Sequence, residues 1–383
     1  MVRRLQGIPG FSIDRVAAAA GDDPDVLRLE NLDTDLRPPQ AAIEATRRAI
    51  ELDEDNSYLP FNGRLDLRRA VARQILRRSG HDYDPETEIV ITCGGTEGIL
   101  DALLAMLDPG DEVVLTDPTY AGMIQRVRLA EGVPRLVSLL ALPGGWRLDV
   151  DALEAATGPH TRALFLMSPS MPSGAVFQAE EWNAMARLCV RRNLWLLYNA
   201  AMEAILFDDL RLFHPASLPG LRERAIIVGS VSKEYRMIGW RVGWVVAPAP
   251  ILADIARVHI YNVVSPTGIA QRGVTAALEA EPEIAASVSE WQRRRDAVLS
   301  QLDGWPVIPP QGGWSLLVDT APLGVDAETA SRMLLEKGKV AATPMKHWGG
   351  PKTDYLIRLV FSNETVARLS TLRERFESTF GPR

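Results

Sequence analysis

The sequence predicts an α/β fold in two parts: a large domain with a mostly parallel sheet, ending near residue 285, and a smaller α/β domain after it. Alternation is the first reason. Between residues 88 and 232, short apolar runs recur between helical stretches, and strands covered on both faces of a parallel sheet read as such unbroken runs. Placement is the second reason, because glycines and polar residues suited to chemistry follow those runs directly, where open α/β sheets carry their ligand sites. The third is a change of pattern near residue 285. There an amphipathic stretch from Ser287 to Leu302 leads into Pro306-Val-Ile-Pro-Pro-Gln-Gly-Gly and strands near Trp314–Asp319 and Leu356–Phe361.

The elements follow in order. Glu88-Ile-Val-Ile-Thr92 is the first run, and Gly94-Gly95-Thr96 after it opens a helix. Glycine lets the backbone come close to a ligand, and the free amides of a helix N-terminus attract a phosphate. Glu112-Val-Val-Leu-Thr116 is followed by Asp117 to Tyr120, and Arg162-Ala-Leu-Phe-Leu-Met167 by Met171. Leu194-Trp-Leu-Leu-Tyr198 ends on Asn199, and Ala225-Ile-Ile-Val228 leads to Ser230, Ser232 and Lys233. Separate strand ends thus converge on one place.

The run Ser230-Val-Ser232-Lys233-Glu-Tyr-Arg-Met-Ile-Gly239-Trp-Arg241-Val-Gly243 carries the most chemistry. A lysine amine reacts with an aldehyde, while a serine three residues before it and an arginine eight after it suit a dianionic phosphate. Together they describe a pyridoxal 5'-phosphate site. The preceding apolar strand and flanking glycines argue against a merely solvated lysine.

Composition narrows the classes further. Of 383 residues, 46% are apolar and 24% charged, with a net charge of -7 and the signs interspersed. No basic stripe of the kind nucleic acid requires is present. Cys93 and Cys189 lie far apart, and the five histidines have no metal-type spacing, so neither a disulfide framework nor a metal site is expected. The N-terminal residues lack the apolar stretch of a signal peptide, and no run is long enough to span a membrane. A cytoplasmic protein without membrane or nucleic-acid partners is expected.

Several landmarks, in order and spacing, resemble the class I/II aminotransferases of the fold-type I pyridoxal phosphate enzymes. They are Asn56-Ser-Tyr58-Leu-Pro-Phe-Asn-Gly63, Gly94 to Gly98, Asp117-Pro-Thr-Tyr120, Ser168-Pro-Ser-Met171-Pro172-Ser-Gly174, Asn199-Ala-Ala-Met202, the lysine run and Tyr355-Leu-Ile-Arg358-Leu. The resemblance implies an aspartate aminotransferase-like fold, with residues 46–285 as the large domain and residues 1–45 and 286–383 as the small one. It implies that Lys233 carries pyridoxal phosphate, Arg241 holds its phosphate, Tyr120 stacks on its ring, and Arg358 clamps the α-carboxylate of an amino acid. Tyr58 resembles a tyrosine that reaches the neighbouring subunit's phosphate, which implies a homodimer with shared sites. Asp33 falls where relatives close over the substrate, and its carboxylate would suit an amino-bearing side chain. His347 lies in a segment that approaches the substrate in relatives, as an auxiliary acid or base or as an ordinary loop histidine.

Three positions depart from the family pattern. Met171 and Met202 replace the asparagine and tyrosine that bond the cofactor's phenolic oxygen, and Asn199 replaces the aspartate that pairs with the ring nitrogen. A neutral amide stabilises a protonated ring nitrogen poorly, so a weaker electron sink is expected. Transamination between an amino acid and a 2-keto acid remains the leading expectation. The alternatives are a lyase, racemase or specialised biosynthetic enzyme of the same fold, and a non-enzymatic pyridoxal phosphate-binding regulator. The retention of both Lys233 and Arg358 argues against the last.

Overall fold

A computed structural model describes residues 3–10, 12–280 and 283–383. The first strand, β1 (Leu27–Arg28), belongs to the terminal part of the structure. Eight more strands build the large sheet: β2 (Ile89–Thr92), β3 (Glu112–Asp117), β4 (Val133–Leu142), β5 (Gly145–Leu148), β6 (Thr161–Met167), β7 (Trp195–Asn199), β8 (Ala225–Ser230) and β9 (Gly243–Val246). Their spatial order is β2-β9-β8-β7-β6-β3-β4-β5. The run from β8 through β7, β6 and β3 to β4 is parallel throughout, as the unbroken apolar segments predict.

Three of these strands are absent from the sequence-based expectation. Strand β9 is antiparallel to both β8 and β2. It reads in sequence as the tail of the lysine run, and its four residues give too short a period to separate. Strands β4 and β5 form an antiparallel edge hairpin in which a proline, a charge and partly exposed side chains break the apolar run. The C-terminal strands are β10 (Val307–Ile308), β11 (Ser315–Asp319), β12 (Val340–Ala341), β13 (Thr343–Pro344) and β14 (Leu356–Val360). Four of them form a sheet in the order β10-β11-β14-β13, all antiparallel, while β12 pairs in parallel with β1. The long helix expected from Ser287 spans Glu283–Gln301 and packs alongside this part of the molecule.

Helices cover the large sheet. The Gly94–Met106 helix packs on β8 and β9, and also on the Ala249–Asn262 helix. Its N-terminus sits tight against the sheet because of Gly243. A Cβ at that position would lie 2.5–2.7 Å from backbone atoms of Gly95, Gly94 and Gly229. No helix among the described residues is long and apolar enough to cross a membrane.

Gly243→Ala forces a methyl group against three stretches of backbone, none of which can rotate away. It is expected to destabilise the fold by about 1–3 kcal/mol, read from the denaturant midpoint; a midpoint equal to wild type would show that the helix N-terminus has room to move.

Candidate active site

Parallel strands all end at one edge of the sheet, and their following loops enclose a cavity of about 270 Å³. Gly95 and Thr96 line it from the start of the Gly94–Met106 helix, Ser230 and Ser232 from the end of β8, and Arg241 from the turn before β9. Gly94 lies behind Arg241, where a Cβ would come within 2.6 Å of the guanidinium Nη2. Glycine at that position therefore lets the arginine close over the loop. Arg241 itself has a left-handed backbone (φ 53°), which aims its side chain back across the loop. Its Nη1 donates to the Ile238 carbonyl at 3.0 Å and to Ser232 Oγ at 3.4 Å, and Ser230 Oγ donates to Ser232 Oγ at 2.9 Å. Amides at a helix start, two hydroxyls and a planar cation make a phosphate cradle.

Lys233 enters the same cavity from the loop after β8. Its Nζ donates to the Leu32 carbonyl at 2.7 Å and lies 4.9 Å from the centre of the Trp314 ring. Burial pushes the amine pKa down to about 7; the charge of Asp33 opposes that shift, while the Arg358 and Arg241 guanidinium groups add to it. The carboxylate of Asp33 is thus near enough to be felt, although it does not line the cavity: its Oδ1 accepts from the Thr34 amide at 2.8 Å.

Arg358, on β14, is fully buried and closes the cavity from the small sheet. Its Nη2 donates to the Glu30 carbonyl and to Thr343 Oγ1, the latter at 3.2 Å, and its Nη1 lies 3.7 Å from Met171 Sδ. The Trp348 ring centre is 5.0 Å from the guanidinium carbon. No carboxylate pairs with Arg358 and its Nε has no partner among the described residues. Burial lowers its pKa to about 10, against the pull of Tyr120 and Glu30.

The remaining sequence candidates in the lining are neutral. Tyr120 stands half-buried, its ring tilted by 58° to that of Trp348 at 5.6 Å. Met171, Met202 and Asn199 are buried and face the cavity. Asn199 Oδ1 accepts from the Ala201 amide at 3.2 Å, and its Nδ2 is a donor. Two other sequence candidates lie elsewhere. His347 is exposed on the rim of a second, wider cavity, and Tyr58 is 85% exposed on the surface of the single chain.

Several residues escape the sequence reading. Trp314 and the Leu32 carbonyl frame the lysine, and Arg126 lines both cavities. Behind the site Arg78 donates to Glu203 Oε1 and to Glu234 Oε2, each at 2.9 Å, and the Ala204 amide bonds Glu234 Oε1 at 2.8 Å. These glutamates follow Met202 and Lys233 directly, so one buried cation ties the two loops together. Burial raises the Glu234 carboxyl to about 7. No local sequence signal links positions 78, 203 and 234. His259, expected to have no special role, is fully buried with its Nδ1 2.8 Å from Glu97 Oε1 and its Nε2 3.1 Å from the Phe61 carbonyl. Burial lowers its pKa, but the bonds to Asp101 and Glu97 outweigh that and raise it to about 9, an ion pair that anchors the phosphate-loop helix.

The residues fit pyridoxal phosphate: a cradle for the phosphate, an aromatic face at Tyr120, and a buried amine whose pKa is pushed down to about 7. A model of the family described as aminotransferase class I and II matches residues 25–376. The chain is 36% identical over 357 residues to a probable N-succinyldiaminopimelate aminotransferase of Mycobacterium tuberculosis, covering 88% of this chain and 90% of that one. It is 31% identical over 339 residues to an arginine–pyruvate transaminase of Pseudomonas aeruginosa, covering 88% and 85%. The solved structure of N-succinyldiaminopimelate aminotransferase from Mycobacterium tuberculosis matches with a TM-score of 0.92 and 33% identity, covering 98% of this chain and 99% of that one. The chain therefore belongs to the class I and II aminotransferases, fold-type I enzymes that use pyridoxal phosphate to exchange amino groups between amino acids and keto acids.

Proposed function

We propose that Lys233 is the amine that anchors the cofactor and moves the substrate's α-proton, and that Arg358 fixes the α-carboxylate. One observation carries this reading: the amine of Lys233 and the unpaired guanidinium of Arg358 face a single cavity, beside a phosphate cradle. When bound, pyridoxal phosphate supplies an aldehyde that holds the amino group and a ring that takes up electrons as a bond at the α-carbon breaks. The chain supplies the rest. Gly94, Gly95, Thr96, Ser230, Ser232 and Arg241 hold the phosphate, and Tyr120 lies along the ring. Arg358 offers a planar fork to the carboxylate and so presents the α-hydrogen to the lysine. A lysine whose pKa burial lowers to about 7 is partly neutral at that pH and so needs little further activation to serve as a general base.

Asn199 sets the electronic character of the site. With its carbonyl held by the Ala201 amide, it offers a hydrogen-bond donor where the family pattern has an acceptor. A donor favours an unprotonated ring nitrogen, and two thioethers replace the donors for the phenolic oxygen. These neutral residues support a second reading, in which a side-chain group is eliminated or the proton returns to the opposite face. Product analysis separates the two: transamination leaves pyridoxamine phosphate and a keto acid in equal amounts, whereas elimination or racemisation leaves the cofactor as it began.

Residues 46–285 are proposed as the large domain and residues 1–45 with 286–383 as the small one, a division supported by the pairing of β1 with β12. The exposed Tyr58 and Tyr261 support a homodimer with shared sites. Two free cysteines suit a reducing cytoplasm. The relatives' names span acidic and cationic substrates and leave the side chain open.

Lys233→Ala is expected to retain bound cofactor through its phosphate but to lower turnover by about 10²–10⁴-fold or more; turnover near wild type would remove the lysine from the mechanism. In the cofactor-free protein, acylation of Lys233 followed by mass spectrometry is expected to rise with pH through about 7 and level off above it, because only the neutral amine reacts. A rise centred above pH 10 would contradict the burial argument. Asn199→Asp, which restores a charge partner for a protonated ring nitrogen, is expected to raise the transamination rate by roughly one to two decades. It is also expected to shift the pH titration of the bound cofactor's visible spectrum; an unchanged rate and titration would show that the position has no such control.

A further inference from the structure

Arg126 carries a charge that the roles above leave unused. It lines the active-site cavity and also the wider cavity of about 830 Å³ outside it, where Thr96 and Arg241 are shared as well. It therefore stands where one opens into the other. All its partners are neutral: Nε donates to the Thr96 carbonyl at 3.2 Å, Nη1 donates to the Gly122 carbonyl at 2.7 Å, and the Tyr120 phenol lies against it. The two carboxylates on the wall of the wider cavity are engaged elsewhere. Glu328 pairs with Arg15 at 3.0 Å and Lys346 at 3.6 Å, while Glu97 bonds His259 and, at 2.7 Å, the Cys93 amide. Withdrawal from water without a counter-charge also holds the Arg126 pKa below the usual arginine range.

The other two guanidinium groups have separate places. Arg241 closes over Gly94 and bonds Ser232 at the phosphate end, and Arg358 is held between Glu30 and Thr343 on the small sheet. Arg126 instead sits beside Tyr120, where the active-site cavity that Arg358 also lines meets the wider one.

We infer that Arg126 is a specificity-determining residue that receives a second carboxylate, so that the site favours amino acids and keto acids with an acidic side chain. The inference rests on the function proposed above, because it takes Arg358 to hold the first carboxylate. It also replaces the sequence expectation of an amino-bearing substrate received by Asp33, whose carboxylate does not line the cavity and is turned to the Thr34 amide.

Non-reacting anions test it without any turnover. Calorimetric titration of the pyridoxal phosphate-loaded protein with glutarate and with pentanoate, and with adipate and hexanoate, compares ligands that differ by one carboxylate. Wild type is expected to bind the diacids about tenfold or more tightly than the monoacids. Arg126→Gln is expected to abolish that preference while leaving monoacid binding and cofactor retention unchanged, and Arg126→Lys to keep part of it. Equal binding of diacid and monoacid by wild type would overturn the inference, as would an undiminished preference in Arg126→Gln. Weakened cofactor retention in Arg126→Gln with both anions equally affected would assign the arginine to the phosphate and overturn it too. A protein that binds diacids selectively yet converts no amino acid would contradict the proposed reaction and leave the anion site standing.

Discussion

Four cations, Arg126, Lys233, Arg241 and Arg358, face one cavity to which no lining residue contributes a carboxylate. Much of the chemistry follows from that imbalance. Burial, with the Arg358 and Arg241 charges adding to it, lowers the pKa of the lysine to about 7, while the arginines stay charged. Anionic ligands relieve the repulsion, so the charge that makes the empty cavity costly is the same charge that selects what enters it. An aspartate at position 199 would partly neutralise this field. Asn199 leaves it intact, and this neutral lining residue belongs to the same electrostatic arrangement as the arginines.

The scaffold holds these charges in place by packing and by hydrogen bonds to neutral groups. The parallel strands bring their ends together at one edge, and β9 presses the phosphate-loop helix against that edge through a glycine that allows no side chain. Arg78 fastens the loops after β7 and β8 from below through Glu203 and Glu234. A buried cation between two carboxylates is costly to assemble but strongly directional, which suits a site whose lysine must stay aligned.

What could be read from the sequence was local. The lysine run, the glycine loop and the apolar strand segments each occupy consecutive positions, so their periodicity and residue types speak directly. The antiparallel β9 was not legible, because its four residues merge with the lysine run and one of its partners, β2, lies far away in the chain. Arg126 was not legible either. It reads as one charge on an amphipathic helix, and only the fold shows that carbonyls rather than carboxylates surround it. The same holds for Trp314 beneath the lysine, and for the Arg78 strap, in which the arginine lies 125 and 156 positions from its two glutamates. The position of His347 outside the inner cavity likewise depends on tertiary placement alone.

The contact between Arg358 and the Glu30 carbonyl spans 328 positions, and the neighbouring Leu29 is stitched to both Ala341 and Val360. Arg358 is therefore seated by joining a segment near position 30 to a strand 328 positions later. During synthesis the phosphate cradle can assemble while the chain is still being extended, but the seat of Arg358 waits for the C-terminal strand to emerge. Loop closure over such a distance has a large entropic cost that only the finished molecule can offset. Connectivity thus lets the segments after β2 and β8 be complete before the seat of Arg358 is.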